Sequence, residues 1–408
     1  MPFVAGSLVL GVFLGGVAGG VAFPTLPNLG PLLGISPLLV GAILAINRAT
    51  RLVLNAPAGS VLDRVGTRRP MLVGFAVMAA APFGYVLGLD PPLGLSSAAV
   101  FLLARICWGV GSAFVFVGAF STITHVTSAD NRGRWVGYMR GGQSLGFPAG
   151  LIVGGLVTDA FGYATAFTVA GVAGLVATGA AAAVLPNLSP DVSGSAGLRA
   201  IPDLVWADRR IGAVGLVNFA VRFLFAGVLL STVVLYARTN DIGFVGLSEV
   251  GASGIVMAIS VVFSSTTTVL AGRYSDRLDD RAAVTLPAIV ALGLGFGLLA
   301  LRPTLPGTVA GVALIGVGVG GTNPPLLAYL GDISPEGDVG KLGGVYNAFG
   351  DLGSSLGPVV ALPLVEVLGF RSGYLLCAAV AVAVGVLVVA TLLGSGAETP
   401  AVETTGGD

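Results

Sequence analysis

The chain has 408 residues, of which 55% are hydrophobic and only 10% are charged, and its mean hydropathy is +0.95. A soluble domain carries about 25% charged residues, so this composition excludes an ordinary water-soluble protein and indicates one surrounded by lipid. The formal net charge is zero, which gives no reason to expect nucleic acid as a partner. Cys107 and Cys377 lie singly in apolar segments, which argues against a disulfide framework and against a metal site.

Apolar runs long enough to cross a bilayer, about 20 residues each, recur along the whole chain. The first, from about Phe3, has no basic region before it and no clear cleavage site after it, so we interpret it as a spanning helix. Six runs begin near residues 3, 37, 70, 97, 134 and 164, and six more near residues 211, 248, 282, 306, 342 and 372. The sequence therefore predicts an all-α polytopic membrane protein with 12 transmembrane helices in two pseudo-symmetric six-helix bundles.

The connections between these runs predict domain limits and orientation. We expect an N-terminal bundle over 1–185, a cytoplasmic linker over 186–210, a C-terminal bundle over 211–393 and a disordered cytoplasmic tail over 394–408. Lys and Arg are concentrated in the connections on the side of both termini, whereas the other side holds only Arg238, Arg302 and Arg371. Because cytoplasmic loops carry the excess of positive charge, both termini are predicted to be cytoplasmic, in the plasma membrane.

A charged turn occurs twice in the chain, in the segments 59–69 and 271–281. In each copy a Gly is followed four residues later by Asp-Arg, at Gly59, Asp63 and Arg64 and again at Gly272, Asp276 and Arg277. The tripeptide Ser-Leu-Gly recurs at 144–146 and 355–357, with almost the same offset. Two motif pairs at one spacing indicate an internal duplication, which among polytopic membrane proteins is typical of secondary transporters.

Small residues form stripes on two predicted helices. In the fifth segment a glycine recurs every four residues, at Gly142, Gly146, Gly150 and Gly154, and the first segment does the same at Gly11, Gly15 and Gly19. Such stripes let helix backbones approach closely. We expect the first set, together with Pro148, Gly357 and Pro358, to be helix-packing residues. Static packing and a smooth surface that lets helices slide are both open interpretations.

Charged and amide residues inside the apolar runs are the candidates for a substrate or proton pathway. They are Arg48, Arg51, Arg105, Arg140, Asn218, Arg222, Asn323 and Asp351. A central arginine costs about 2.5–3.5 kcal/mol on insertion scales, so each must face protein or water. The alternative is that these arginines pair with carbonyl groups or with acidic residues near helix ends. We further expect Asn323-Pro324-Pro325 to interrupt the tenth helix where it faces a cavity.

These motifs resemble the major facilitator superfamily over nearly the whole chain. The segment 59–69 is similar to that family's signature between helices 2 and 3, with matches at Gly59, Asp63, Arg64, Gly66, Arg68 and Arg69. The segment 101–113 resembles the helix 4 motif of proton-coupled members through Arg105 and Gly109, with Trp108 where Gln is usual. The fifth segment resembles the exporter motif, although Phe147 separates its Gly and Pro.

The resemblance implies alternating access in the manner of the drug/proton antiporter branch. Helices 1, 4, 7 and 10 would line a central cavity, helices 2, 5, 8 and 11 would flank the junction of the halves, and both charged turns would act as gates. Arg105 would carry a functional role, with Asp351 as the candidate acidic partner.

Three functions remain open from the sequence. The first is proton-coupled export of small amphipathic compounds, the second is transport of organic anions through an Arg-lined cavity, and the third is a non-transporting scaffold or sensor. The intramembrane charges argue against the third, because a scaffold gains nothing from their insertion cost. The chain has no nucleotide-binding loop and no nucleophile-base set, so we expect neither an enzyme nor a cofactor. The expected partners are a small-molecule substrate, protons and the lipid bilayer, with the protein acting as a monomer.

Overall fold

The computed structural model describes residues 2–127, 129–186, 208–243, 246–278, 280–334 and 339–393, and the regular elements in these ranges are all helical. The predicted tail and residues 187–207 of the predicted linker lie outside the described residues. The long helices are α1 (Pro2–Leu32), α2 (Pro37–Val65), α3 (Arg68–Leu89), α4 (Ser97–Val126), α5 (Ala129–Phe161), α6 (Tyr163–Val184), α7 (Arg209–Thr239), α8 (Glu249–Ser275), α9 (Thr285–Leu301), α10 (Leu305–Asp332) and α11 (Val339–Thr391).

Within the described residues, 11 helical segments are long and apolar enough to cross a membrane. A helix rises about 1.5 Å per residue, so even 22 residues reach the roughly 30 Å of a bilayer's hydrocarbon core. The count differs from the predicted 12 because α11 is one element of 53 residues. Its backbone leaves the helical region at Gly369, where φ is 74° and ψ is 163°, and this position falls between the eleventh and twelfth predicted segments.

Two helices differ from what the sequence predicted. Within α7 the stretch Phe223–Leu229 is π-helical, and no pattern in the sequence predicted it. The expected interruption at Asn323-Pro324-Pro325 is wrong, because α10 runs as one helix of 28 residues through both prolines. The carbonyls that lose their donors belong to Gly320 and Gly321, which lack the side chains that would resist a small local adjustment.

The buried apolar side chains form two clusters. One is built from α1–α6 and includes Phe75, Phe101 and Phe167, and a single residue of α11, Leu362, joins it. The other is built from α7–α11, and Leu151 of α5 is one of the few outside residues that join it. The first and second parts of the chain therefore each enclose their own core.

Glycines bring α1 and α5 into backbone contact. A Cβ atom added at Gly142 would lie 3.0 Å from the carbonyl oxygen of Val9, and one added at Gly154 would lie 2.7 Å from the Cα atom of Val21. Gly146 and Gly150, between them, meet the backbone of Phe13 and Val17 in the same way. The stripe predicted on the fifth segment thus faces α1. The stripe of Gly11, Gly15 and Gly19 instead faces side chains of α3 and α4.

The pair α7 and α11 repeats this arrangement in the second part of the chain. A Cβ atom at Gly227, within the π-helical stretch, would lie 2.5 Å from the Cα atom of Gly357. Gly353 likewise approaches the backbone of Phe219 and Phe223. The Ser-Leu-Gly segments of α5 and α11 are therefore placed on corresponding helix contacts, as an internal duplication requires.

Two further close contacts join the first part of the chain to the second. Gly41 of α2 packs against the backbone of Pro358 in α11, with 2.8 Å from its added Cβ to the Pro358 carbonyl carbon. Gly155 of α5 packs against Gly254 of α8, where the corresponding distance to the Gly254 Cα atom is 3.1 Å. The helices α2, α5, α8 and α11, which carry the sequence motifs, thus form the junction.

Candidate functional site

An ion pair crosses the junction between α2 and α11. A side-chain nitrogen of Arg51 donates to a carboxylate oxygen of Asp351 over 3.0 Å, and the two side chains are 24% and 23% exposed. The Arg51 guanidinium also lies 5.7 Å from the ring centroid of Phe116 on α4. Each residue is well inside its helix, so the pair does not lie at a helix end.

Arg48, one turn before Arg51, makes a second link between the same helices. Its guanidinium donates to the backbone carbonyl of Ser354 over 3.4 Å and lies 5.4 Å from the ring centroid of Phe23 on α1. A carbonyl satisfies a donor without neutralising its charge, so Arg48 remains a net cation.

The surroundings of Arg48 contain more positive than negative charge. Its guanidinium is repelled by Arg51, Arg105 and Arg222 and attracted by Asp351. Arg48 is therefore within electrostatic range of three other arginines and one carboxylate, and α2, α4, α7 and α11 all contribute to the group. We call these five residues the arginine cluster. Such a cluster attracts anions, since charges interact strongly where the effective dielectric constant is low.

Arg105 is the most buried member of the cluster, with 1% of its surface exposed. Its guanidinium donates to the carbonyls of Ile43 and Leu44, each over 3.0 Å, and to the side-chain oxygen of Asn47 over 2.9 Å. These acceptors lie on α2, so Arg105 holds α4 against α2. The carboxylate suggested for it, Asp351, is paired with Arg51 instead. Pairing with carbonyls, which the sequence left as the alternative, describes this residue.

Tyr346 connects the two amides that the sequence placed in the pathway. The amide of Asn218 on α7 donates to the backbone carbonyl of Tyr346 over 2.7 Å, and the Tyr346 hydroxyl donates to the amide oxygen of Asn323 over 2.8 Å. Asn218 is 4% exposed, so its amide is used in holding α7 to α11. Arg222, one turn further along α7, is half-buried and close to Gly350.

Arg140 lies apart from the cluster. It is exposed, in the first half of α5, and among the described residues it has no hydrogen-bond or ion-pair partner. The structure therefore does not bring it together with the other predicted pathway residues.

The first charged turn spans the end of α2 and the start of α3. Gly66 ends the helix with φ at 81°, a left-handed conformation that favours glycine, and its N–H donates to the carbonyl of Leu62. Arg68 donates to the carbonyl of Ala182 at the end of α6, over 3.1 Å. Asp63 is half-buried and has no hydrogen-bond or ion-pair partner within the part of the chain that the structure describes.

The second charged turn makes its ion pairs locally. Arg281 lies 3.8 Å from a carboxylate oxygen of Asp276 and 3.3 Å from one of Asp332 at the end of α10. Gly272 faces Pro324 of α10, at 3.6 Å from its added Cβ. Among the residues that the structure describes, the polar contacts of both turns thus stay within their own part of the chain.

A polar network joins the helix ends on the opposite side. Arg238 at the end of α7 donates to the amide oxygen of Asn28 over 3.1 Å, and the Asn28 amide donates to the Tyr163 hydroxyl over 2.8 Å. Nearby, a carboxylate oxygen of Asp159 accepts the backbone N–H of Ser248 over 3.1 Å. The contacts of Arg238 with Asn28 and of Ser248 with Asp159 join the first part of the chain to the second at this end.

Sequence reasoning missed several of these residues. Asn28, Asp159 and Tyr163 lie near helix ends, where polar side chains are ordinary and carry little signal. In the sequence, Phe23 and Phe116 cannot be told from other apolar residues of a spanning helix, because the guanidinium group over each ring belongs to another helix. The Pro-rich end of α1 around Asn28 was the one local hint.

Comparisons with known proteins give the family. The model of the Major Facilitator Superfamily matches residues 8–265 and 211–407. Multidrug resistance protein 2 of Bacillus subtilis is 22% identical over 362 residues, which cover 86% of each protein. An uncharacterized MFS-type transporter of Schizosaccharomyces pombe is 28% identical over 175 residues, but these cover only 41% of this chain and 38% of that one.

Solved structures with the same fold include transporters from bacteria and humans. A bacterial homologue of the human lysosomal transporter Spinster, in an inward-facing and occupied conformation, superimposes with a TM-score of 0.78 at 16% identity, covering 98% of this chain and 99% of that one. The human organic anion transporter MFSD10 gives a TM-score of 0.65 at 19% identity, with 95% and 99% covered. The chain therefore belongs to the Major Facilitator Superfamily and is a multi-pass membrane transporter, not an enzyme.

Proposed function

We propose that this protein is a secondary active transporter of organic anions that works by alternating access. The observation that carries the proposal is the arginine cluster at the junction of the two parts of the chain. An arginine inside a spanning helix has a high insertion cost, which Arg105 offsets through its hydrogen bonds to α2 and Arg51 through its ion pair. Arg48 has a single carbonyl acceptor and Arg222 has no hydrogen bond or ion pair among the described residues, so an anionic substrate would supply the partner that these two lack. A guanidinium holds a carboxylate or phosphate through two parallel hydrogen bonds, so an anion is the ligand that this cluster suits best.

The aromatic rings beside the cluster extend the argument to the rest of the substrate. Phe23 and Phe116 lie under the guanidinium groups of Arg48 and Arg51 and present apolar surface at the same depth. An anion that carries an apolar group would contact both kinds of surface. The human organic anion transporter with this fold gives the substrate class a precedent.

The proposed architecture has 12 transmembrane helices, if α11 is divided at Gly369, in two six-helix halves that rock about the cluster. The contacts of Asn28, Arg238, Asp159 and Ser248 close one end, whereas the recorded contacts of the charged turns stay within each half. With the charged turns and both termini cytoplasmic, this is an inward-facing conformation. The protein would act as a monomer in the plasma membrane.

The proposal is tested by ligand-induced stabilisation of the purified protein. Aromatic and aliphatic carboxylates and matched quaternary amines are added at increasing concentration, and the thermal unfolding midpoint is measured. Anions should raise the midpoint of the wild type, and Arg222→Gln and Arg48→Gln should weaken the response. Arg371→Gln, which removes an exposed arginine outside the cluster, is the control and should respond like the wild type. Stabilisation by amines but not by carboxylates would contradict the anion assignment.

Proton-coupled export of small amphipathic compounds is the second candidate function. The Arg51–Asp351 pair favours it, because protonation of the carboxylate would break an ion pair that joins the two halves. The Bacillus subtilis relative named a multidrug resistance protein agrees with this candidate. In proteoliposomes, Asp351→Asn should then keep substrate binding and lose acceleration by a pH gradient. Full retention of gradient-driven transport in that variant would exclude Asp351 as the coupling group.

A further inference from the structure

A groove of about 530 Å³ lies outside the arginine cluster, between α8 and α9 near the charged turn that follows α8. Its floor is α10. Its lining residues are mostly apolar or small, and its charged members are two arginines of α8 and the following turn. Among the lining residues are Leu270, Arg273, Tyr274, Arg277, Val317 and Gly321.

Glycines of α10 explain why a groove forms here. Gly320 packs against the backbone of Ser264 on α8, while a Cβ at Gly318 would lie 2.7 Å from Leu292 on α9. Helices α8 and α9 therefore pack closely against different sides of α10. Between these two contacts, α10 presents only Val317 and Gly321, which are too small to fill the space between α8 and α9.

The groove opens away from the junction of the two halves. On α8, Val250 and Gly254 contact α5 through Gly155. At about 100° per residue, Leu270 and Tyr274 lie on the opposite face of the same helix. Their side chains are 59% and 58% exposed. In a membrane protein, exposed apolar surface at this position meets lipid, so the groove is reached from the bilayer and not from the substrate pathway.

Two arginines without a polar partner among the described residues lie at the end of this apolar groove. Arg273 and Arg277 are exposed, and neither has a hydrogen-bond or ion-pair partner among the residues that the structure describes. Arg281, a few residues on, contrasts with them because two carboxylates already engage it. Tyr274 adds a hydroxyl and a ring at the same level, which suits the interface between headgroups and acyl chains.

We propose that this groove binds an anionic phospholipid of the leaflet that contacts the charged turns. One acyl chain lies between α8 and α9 over Val317, and the headgroup phosphate lies between Arg273 and Arg277. Charge complementarity selects the occupant, because guanidinium groups form charge-assisted hydrogen bonds with phosphate oxygens and a zwitterionic headgroup offers no net charge. The second charged turn would therefore hold lipid, whatever part its Asp276 takes in gating.

Native mass spectrometry of the purified full-length protein tests the proposal, with phosphatidylglycerol and phosphatidylcholine of identical acyl chains as the probes. The wild type should retain phosphatidylglycerol and not phosphatidylcholine. Since each basic residue near a membrane surface contributes about a fivefold gain in affinity for anionic lipid, Arg273→Gln with Arg277→Gln should weaken retention roughly 25-fold. The matched control is Arg302→Gln with Arg371→Gln, which removes two exposed arginines at the other end of the helices that do not line the groove, and it should leave retention unchanged.

A second variant tests the acyl-chain half of the proposal. Val317→Phe places a larger side chain on the groove floor, which narrows the groove without altering its charge. The variant should retain less phosphatidylglycerol, and its thermal unfolding midpoint shows whether the protein is folded. Equal binding of the two lipids, or wild-type retention by the double arginine variant, would overturn the proposal. Wild-type retention by Val317→Phe, or displacement of the lipid by an equal concentration of glycerol 3-phosphate, would show a phosphate site without a bound acyl chain and would overturn it equally.

Discussion

Removing Asp351 should destabilise the protein more than removing Arg51, although each change breaks the same ion pair. Asp351→Asn takes away the one carboxylate of the arginine cluster and leaves Arg51 facing the like charge of Arg48. Arg51→Gln also loses the pair, but it relieves the repulsion between Arg51 and Arg48. The asymmetry follows from the excess of positive charge and would not arise for an isolated pair.

The side-chain exposures set the size of the effect. Breaking a fully buried pair costs about 3–5 kcal/mol, whereas an exposed pair contributes about 0–1 kcal/mol. With side chains 24% and 23% exposed, the pair lies between these limits. We expect a loss of about 2 kcal/mol for Asp351→Asn and about 1 kcal/mol for Arg51→Gln. The double variant should lose about 1 kcal/mol, since it leaves no unpaired partner, so the coupling energy is about 2 kcal/mol.

The assay is equilibrium unfolding in mixed micelles, carried out on the wild type, both single variants and the double variant. Asp276→Asn is the control, because that carboxylate is 68% exposed and 3.8 Å from Arg281, and its change should be within experimental error. Equal losses for Asp351→Asn and Arg51→Gln, or a double variant whose loss equals the sum of the singles, would refute the reasoning.

Four other outcomes are expected. Gly150→Ala forces a Cβ atom into the backbone of α1 and should cost about 1–3 kcal/mol of unfolding free energy, whereas Gly141→Ala, with nothing within 4 Å, should be neutral in the same assay. Arg238→Ala releases the Asn28 amide on α1 and should increase labelling of engineered cysteines at that end of the helices; unchanged labelling would count against a closure there. Arg105→Lys cannot reach all three acceptors on α2, so it should lower the unfolding midpoint even with no substrate present, and a midpoint equal to the wild type would remove its structural role. Asp63→Asn should shift the population toward opening on the side of the charged turns, and identical cysteine accessibility and transport in this variant would exclude Asp63 from the gate.

Much of the fold could be predicted because the apolar runs and the glycine spacing each have one structural interpretation. An apolar run of 20 residues in a chain with few charges can only be a spanning helix, and a glycine every fourth residue can only mark one stripe. The stripe ending at Gly154 therefore indicated a close helix contact before its partner was known. The partner itself, α1, required the three-dimensional arrangement.

The parts that could not be predicted are those that depend on contacts between distant segments. Helical periodicity gives the face on which Arg51 and Arg105 lie, but it does not say which takes the carboxylate and which takes backbone carbonyls. The prolines predicted a break at Pro324, because proline interrupts an isolated helix. In the structure α10 is packed against neighbouring helices and continues through both prolines. The π-helical stretch in α7 contains Gly227, whose neighbour Gly357 lies 130 positions away in the sequence.

Transport of a labelled organic carboxylate into proteoliposomes is the most direct test of the central claim, that the arginine cluster is an anion site used in alternating access. The carboxylate is the one that stabilises the purified wild type most. Wild-type protein should transport it, excess unlabelled carboxylates should compete, and Arg222→Gln should transport it at less than a tenth of the wild-type rate while Arg371→Gln matches the wild type. Unchanged transport by Arg222→Gln and Arg48→Gln, or competition by amines and not by carboxylates, would contradict the account.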